Sequence, residues 1–351
     1  MYSKRIESES VTIEIAKGLD KITDAVNKAF DVERLPFRRN LTQEDINKLQ
    51  KACSLAFKSE IHPEVIEKIM HYCYYVERQI KGRAAGNIED LIIRYLMRYF
   101  ASFLEKSGDG RPCHLEIGAL FGAATIFSCH AVKFAEKEIV TVVIDPFEGY
   151  YEQDVDVVTK KRVDEETFWS NIDRCDFPRD MVEVMKGLST DEDIIKRSKE
   201  LRILSLLIDG DHSYDGVKKD WMNFSPQVVT GGHVLFDDYN NNAWPDVTEF
   251  VNKEVLSNSL GKWEVILVYG NSLIVKRTNL EKGKGFTPTE ICYQRLNDRQ
   301  RTLEQKKREI EQMHKEIEQM HKEIEKRDRQ IHMMQNWWRW KITAALRRLV
   351  R

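Results

Sequence analysis

The spacing of apolar residues changes twice along this chain, and each change marks a boundary. Over residues 1–106 the spacing is helical. Ile15, Leu19, Ile22, Val26 and Phe30 fall three or four apart. Thr42 with Asp45 three positions on resembles a capping box, with Asp in place of Glu, ahead of Ile46 and Leu49. His62–Ile80 and Asn87–Lys106 form two more amphipathic stretches, the second opened by Asn87 and closed near Gly108. The pattern predicts an N-terminal helical cap over a sheet that follows. The first of these helices could instead belong to an oligomer interface.

From Pro112 short apolar runs alternate with helical stretches. Strands are expected at Cys113–Ile117, Val140–Asp145, Met181–Met185, Arg202–Asp209, His233–Asp237, Trp263–Tyr269 and Ser272–Lys276. Helical segments separate the first six. Only Gly270 and Asn271 join the last two, a tight hairpin signal. The expectation over 107–278 is an α/β, Rossmann-like sheet of seven strands with one of them antiparallel.

Past residue 278 the periodicity stops. Gly283, Gly285 and Pro288 disfavour regular structure, so 279–302 reads as a linker. A seven-residue repeat then takes over across 303–334. IEQMHKE occurs twice in succession, Ile310, Ile317, Ile324 and Ile331 fall seven apart, and Met313, Met320 and Met334 fill the alternate seam position, which Arg327 interrupts. This predicts a coiled coil about 45–50 Å long at ~1.5 Å per residue, and through it a homo-oligomer, dimer or trimer. Residues 335–351 form a basic amphipathic tail. Trp337, Trp338, Trp340, Ile342, Leu346 and Leu349 are joined there by Arg339, Lys341, Arg347, Arg348 and Arg351, with no acid. Such a segment suits peripheral contact with an anionic bilayer, or docking on its own protein.

Composition narrows the class. A chain of 351 residues with 42% hydrophobic positions can bury a large core, and a formal net charge of −2 argues against nucleic acid as a partner. Cys53, Cys73, Cys113, Cys129, Cys175 and Cys292 include no C-x-x-C pair, which suits a reduced, cytoplasmic protein without structural zinc. No apolar run reaches the ~18–20 residues of a membrane span, and the first residues have no signal-peptide core.

The chemistry collects at expected strand ends. Gly118 and Gly122 follow the first strand and precede a helix over Ala123–Phe134, whose free N–H groups suit a ligand approaching the backbone. Asp145 ends the second strand, where a carboxylate can accept from ribose hydroxyls. Asp209 with Asp211, and Asp237 with Asp238, end two later strands. In a parallel sheet these ends share one edge. Four carboxylates gathered there would repel one another, and a hard, oxygen-seeking cation such as Mg²⁺ or Mn²⁺ would remove that cost. The alternative is that Asp211 and His212 are a turn cap and a structural imidazole, and that Asp237 and Asp238 cap the next helix without metal.

Glu116-x-Gly118-x-x-x-Gly122 resembles the first motif of class I methyltransferases that use S-adenosylmethionine (SAM). IDGDHSYDGVKKD, GGHVLFDDY and DPFEGYYEQD resemble the macrocin-O-methyltransferase-like, metal-dependent family, over about residues 84–277. The resemblance implies SAM held at Glu116, Gly118, Gly122, Asp145 and, beside the adenine, Ser189. It implies a cation on Asp209, Asp237 and Asp238. His212 stands where the family places a general base, with Asp211 next to it. The tail resembles the short ends of bacterial surface-glycan glycosyltransferases, with Ala345 where those have Pro.

Together these imply O-methylation of a sugar hydroxyl on a bacterial surface polysaccharide, such as an O-antigen, or on its lipid-linked precursor. The enzyme would be cytoplasmic, with peripheral contact at the inner face of the cell membrane, a glycan or glycolipid acceptor and a glycosyltransferase partner. The alternatives are O-methylation of a soluble glycosylated metabolite, and a non-catalytic scaffold that partners a glycosyltransferase.

Overall fold

A computed structural model describes residues 39–104, 109–149, 153–257 and 262–278, all within the unit Met1–Gly285. The helix expected around Ile15–Phe30, the linker, the coiled coil, the basic tail, Cys292 and Tyr150 and Tyr151 lie outside the described residues.

Seven strands form one sheet in the order β3-β2-β1-β4-β5-β7-β6. They are β1 Arg111–Ile117, β2 Val140–Asp145, β3 Val182–Lys186, β4 Leu201–Ile208, β5 Val228–Phe236, β6 Trp263–Tyr269 and β7 Ser272–Arg277. The first five pair in parallel, and β7 runs antiparallel to both β5 and β6. This is the α/β Rossmann-like architecture expected from the strand pattern, hairpin included. Several boundaries differ: β1 starts at Arg111, β4 runs Leu201–Ile208, β5 runs Val228–Phe236 and β7 ends at Arg277, so Asp209 and Asp237 lie just past their strands. Met181 belongs to a 3-10 turn, Arg179–Met181, and β3 starts one residue later. Gly231 and Gly232 lie within β5 rather than before it, where the register against β4 shifts between Ile203 and Ser205. A glycine pair inside a strand reads like a turn in sequence, yet here it accommodates a bulge.

Among the described residues three helices precede the sheet: α1 Gln43–Phe57, α2 Pro63–Gln79 and α3 Ile88–Ala101. The capping box at Thr42 and Asp45 is formed, with a second at Asn87 and Asp90. The helix begun at Asn87 ends at Ala101, short of Lys106. Their apolar faces (Leu49, Ile69, Val76, Leu91, Ile92 and Leu96 among them) share one core with α4 Ala123–Phe134, α5 Glu165–Arg174 and Leu207, Leu235 and Ile274 of the sheet. The helical segment is therefore one layer of the fold and not a separate lobe. The opposite sheet face, with Leu115, Ile117, Leu206, Ile208 and Phe236, packs on α6 Glu192–Ser198, α7 Tyr214–Phe224 and α8 Pro245–Phe250. Side chains alternate between the faces with the strand period of two.

That alternation leaves polar residues buried on the α3 side: His114, Glu116, Ser205 and His233. Helix α3 meets them with arginines. Arg98 donates to Ser205 O at 3.0 Å, Ser205 Oγ at 2.8 Å and Leu115 O at 3.0 Å. His114 lies between Ser102 Oγ and Ser205 Oγ, 3.0 and 2.8 Å away. Buried polar groups persist in cores when partnered in this way. Among the described residues no helix is long and apolar enough to cross a membrane, and the five cysteines there are free.

Candidate active site

A row of main-chain hydrogen bonds sets the site. Gly118 N donates to Ile144 O, Asp209 N to Ile117 O, Asp237 N to Ile208 O and Gly187 N to Asp145 O, at 3.0–3.1 Å. Asp145, Gly118, Asp209 and Asp237 thus stand in register at the C-terminal edge of β2, β1, β4 and β5, where parallel α/β sheets bind ligands.

Gly118 is required there for a reason internal to the chain. Its φ is +85°, and a Cβ on it would stand 2.0 Å from the carbonyl oxygen of Asp209. The turn after β1 is pressed against the end of β4. Gly122, at φ +80°, opens α4, and a Cβ there would meet the Phe168 ring at 2.8 Å. Asp145 secures the same turn. Its Oδ2 accepts from Ala119 N–H and its Oδ1 from Phe147 N–H, both at 2.7 Å. Burial pushes the Asp145 carboxyl upward in pKa against those two bonds.

Three of the four strand-end acids converge, together with a residue the sequence did not single out. Arg94, on α3 and 4% exposed in its side chain, places Nη1 at 3.1 Å from Asp209 Oδ2 and Nη2 at 2.5 Å from Asp237 Oδ2. His212 Nε2 lies 3.4 Å from Asp209 Oδ1 and 3.2 Å from Asp238 Oδ2. Asp238 has a left-handed φ of +56° and accepts from Asn241 Nδ2 at 2.6 Å. The Trp244 ring stacks on the His212 imidazole, centroids 4.8 Å apart. Burial and the neighbouring Asp237 charge raise Asp209 to about 6, against the opposing pull of Arg94. Burial lowers His212, but its hydrogen bond to Asp209 and the nearby carboxylates carry it above its ordinary value. Asp90, at the start of α3, adds another buried carboxyl, bonded by Ser272 Oγ–H at 2.8 Å and raised to about 6 by burial and by Asp237.

Asp211 does not join the cluster. It is exposed, and its Oδ1 accepts from Ser213 N–H at 2.9 Å at the start of α7. The split follows from where β4 ends: the alternation of faces still sets Asp209, and Asp211 lies beyond the strand. Asp209 and Asp237 each follow a residue packed on the α7 side, so they turn toward α3 and Arg94.

Uncharacterized protein R132 of Acanthamoeba polyphaga mimivirus is 31% identical over 192 residues, 49% of this chain and 83% of the viral one. A family model described as a methyltransferase domain matches residues 115–239. The chain belongs to one family with the viral protein and carries a methyltransferase domain. Among solved structures, the O-methyltransferase NovP aligns over 68% of this chain and 100% of its own, with 17% identity and a TM-score of 0.45. CalS11, a calicheamicin methyltransferase, aligns over 71% and 98%, with 16% identity and a TM-score of 0.42. MycE of the mycinamycin pathway, solved with Mg and SAH, aligns over 55% and 54%, with 16% identity and a TM-score of 0.34.

Within the methyltransferase domain Glu116 is fully buried at the end of β1. Its Oε2 accepts from Thr125 Oγ1 at 3.1 Å, its Oε1 finds no partner among the described residues, and burial raises the carboxyl to about 7. Ser189 follows β3, near Asp220, a buried carboxyl on α7 that burial raises to about 7. Its carbonyl accepts from Asn223 Nδ2 at 3.4 Å.

Sequence reasoning missed Arg94 and Trp244. Arg94 sits in the run Leu91–Met97, where every residue is buried, so an arginine inside an otherwise apolar helix was the available signal. Among the described residues no three His, Cys, Asp or Glu side chains stand ready around a metal ion. His212 and Arg94 are instead the groups held by the acid oxygens. The donor chemistry still suits a hard cation. Asp209, Asp237 and Asp238 carry three negative charges when ionised and Arg94 one positive, which leaves two for a divalent ion.

Proposed function

We propose that the protein is a SAM-dependent O-methyltransferase whose acceptor is a sugar hydroxyl. The observation that carries this reading is the acid–histidine cluster at the same strand-end row as Gly118 and Asp145, inside a methyltransferase domain. SAM, when bound, supplies an electrophilic sulfonium methyl. The turn Gly118–Gly122 and the loop holding Ser189 flank its place, and the Asp145 carboxylate, which accepts from the backbone of Ala119, Leu120 and Phe147, keeps capacity for a ribose hydroxyl.

Asp209, Asp237 and Asp238 would hold a Mg²⁺ or Mn²⁺ ion, which when bound lowers the pKa of an acceptor hydroxyl. His212 is the base. Its imidazole lies against Asp209 and Asp238, and in its neutral form it takes the hydroxyl proton. Trp244 fixes the ring plane by stacking. The rate then depends on holding hydroxyl and methyl in line. A vicinal diol of a bacterial surface polysaccharide or its lipid-linked precursor fits a site with several oxygen-binding groups. The coiled coil and tail would assemble the enzyme and place it at the membrane.

The test is methyl transfer from isotopically labelled SAM to a lipid-linked glycan extract, with and without EDTA, beside the Asp237→Ala variant. Mass spectrometry would then locate the methyl group. Labelled O-methyl sugar that disappears with chelation and with Asp237→Ala supports the reading. Turnover indifferent to EDTA removes the metal from it, and failure to bind SAM by calorimetry overturns it.

A further inference from the structure

The acid cluster contains its own cation. Arg94 reaches it from α3, the only one of its three principal contributors that lies before the matched methyltransferase segment. The guanidinium is buried and forked, with one nitrogen on Asp209 and the other on Asp237. Gly86 closes over it, since a Cβ there would stand 3.5 Å from Nη2. Asp90, one turn earlier on the same helix, contributes further negative charge beside it. One turn later Arg98 is buried as deeply, but its hydrogen bonds among the described residues go to Ser205 and to the Leu115 carbonyl. The two arginines therefore have different tasks: Arg98 bolts the helix to the sheet, and Arg94 neutralises the strand-end acids.

We propose that Arg94 is a positioning residue that acts as the resident counter-ion of the cluster, holding Asp209 and Asp237 side by side and setting how strongly the site draws a divalent cation. The charge balance gives the direction. With Arg94 present the three acids offer a cation a net charge of minus two, and without it minus three. A buried charge a few ångströms away is weakly screened, so its loss strengthens cation binding. A lysine would keep the charge but replace the two-pronged fork with a single point. The part of this inference that concerns cation affinity rests on the metal site proposed above. The part that concerns Arg94 and its acids does not.

The experiment uses the full chain and Mn²⁺ alone as probe, followed by electron paramagnetic resonance. Arg94→Met should bind Mn²⁺ at least about tenfold more tightly than wild type, and Arg94→Lys should stay within about threefold of it. Equal or weaker binding by Arg94→Met overturns the inference. A thermal-melting cycle of wild type, Arg94→Met, Asp237→Asn and the double variant runs beside it. Arg94→Met should lower the melting temperature, and adding Asp237→Asn should restore much of the loss, because the uncompensated carboxylate is then gone. The double variant stays informative if Arg94→Met alone does not fold. If no chain binds Mn²⁺ the metal reading falls, and the cycle alone decides on Arg94. Losses in the two single variants that simply add overturn the counter-ion role.

Discussion

Gly118 rests against the main chain of Asp209 so closely that a Cβ would lie 2.0 Å from its carbonyl oxygen. The motif glycine of the β1 turn and the first acid of the cluster are one mechanical unit. Gly118→Ala combines a left-handed φ of +85°, worth about 1–3 kcal/mol for a side-chain residue, with overpacking of similar size. The expected loss is about 2–5 kcal/mol in urea unfolding, with displacement of Asp209 from Arg94. Unfolding within about 0.5 kcal/mol of wild type would show that the turn is not held against β4.

Glu116 allows a pH prediction with a definite sign. Burial raises its carboxyl from 4.5 to about 7, so the folded protein holds that proton more tightly than the unfolded chain does. The stabilisation is complete below the unfolded value and is lost as pH rises through about 7. Glu116→Gln keeps the shape and removes the titration. Between pH 5 and 8 wild type should lose on the order of 3 kcal/mol relative to the variant, read as diverging melting curves. Parallel curves would mean that Glu116 is not titrating in the buried setting described.

His212 makes a separate claim on kinetics. As general base, its replacement in His212→Gln should cost about 100-fold or more in turnover, with SAM affinity by calorimetry little changed. Because the nearby carboxylates raise its pKa, the acid limb of the rate profile should lie above that of a free imidazole. Asp238→Asn removes one of those carboxylates, so the limb of its residual activity should move to lower pH. A limb that stays put in Asp238→Asn would assign the titration to another group.

The strands were legible because parallel strands buried on both faces must be apolar runs, and Leu201–Ile208 is buried at every position. Their terminal acids stood out against that background. The division of labour among the acids was not legible. Asp209 and Asp211 are two apart and share a strand parity, but β4 ends at Ile208, so the alternation no longer governs Asp211, which turns outward at the start of α7. Arg94 was hidden for a related reason. Its partners, Asp209 and Asp237, lie more than a hundred residues on in the chain, and only the packing of α3 under β4 and β5 brings them together. Helix caps at Thr42 and Asn87 were readable because all their partners lie within three residues.

Asn171 on α5 supplies the last prediction. Its side chain is fully buried and makes three hydrogen bonds: Oδ1 accepts from Lys81 N–H at 2.7 Å, and Nδ2 donates to Lys81 O at 3.1 Å and to Phe121 O at 3.0 Å. One amide thereby ties the connection before α3 to the turn that carries Gly118 and Gly122. Asn171→Leu has similar volume but strands the buried Phe121 carbonyl and the part-buried Lys81 N–H and carbonyl, a buried group being worth about 1–3 kcal/mol when unsatisfied. The expected destabilisation is about 3 kcal/mol or more. SAM binding should weaken before global unfolding, because the β1 turn loses its tether first. Hydrogen exchange of the Phe121–Ala123 amides provides the check: they should open faster in the variant than the amides of β4, whereas uniform acceleration would make Asn171 a general core residue with no particular hold on the site.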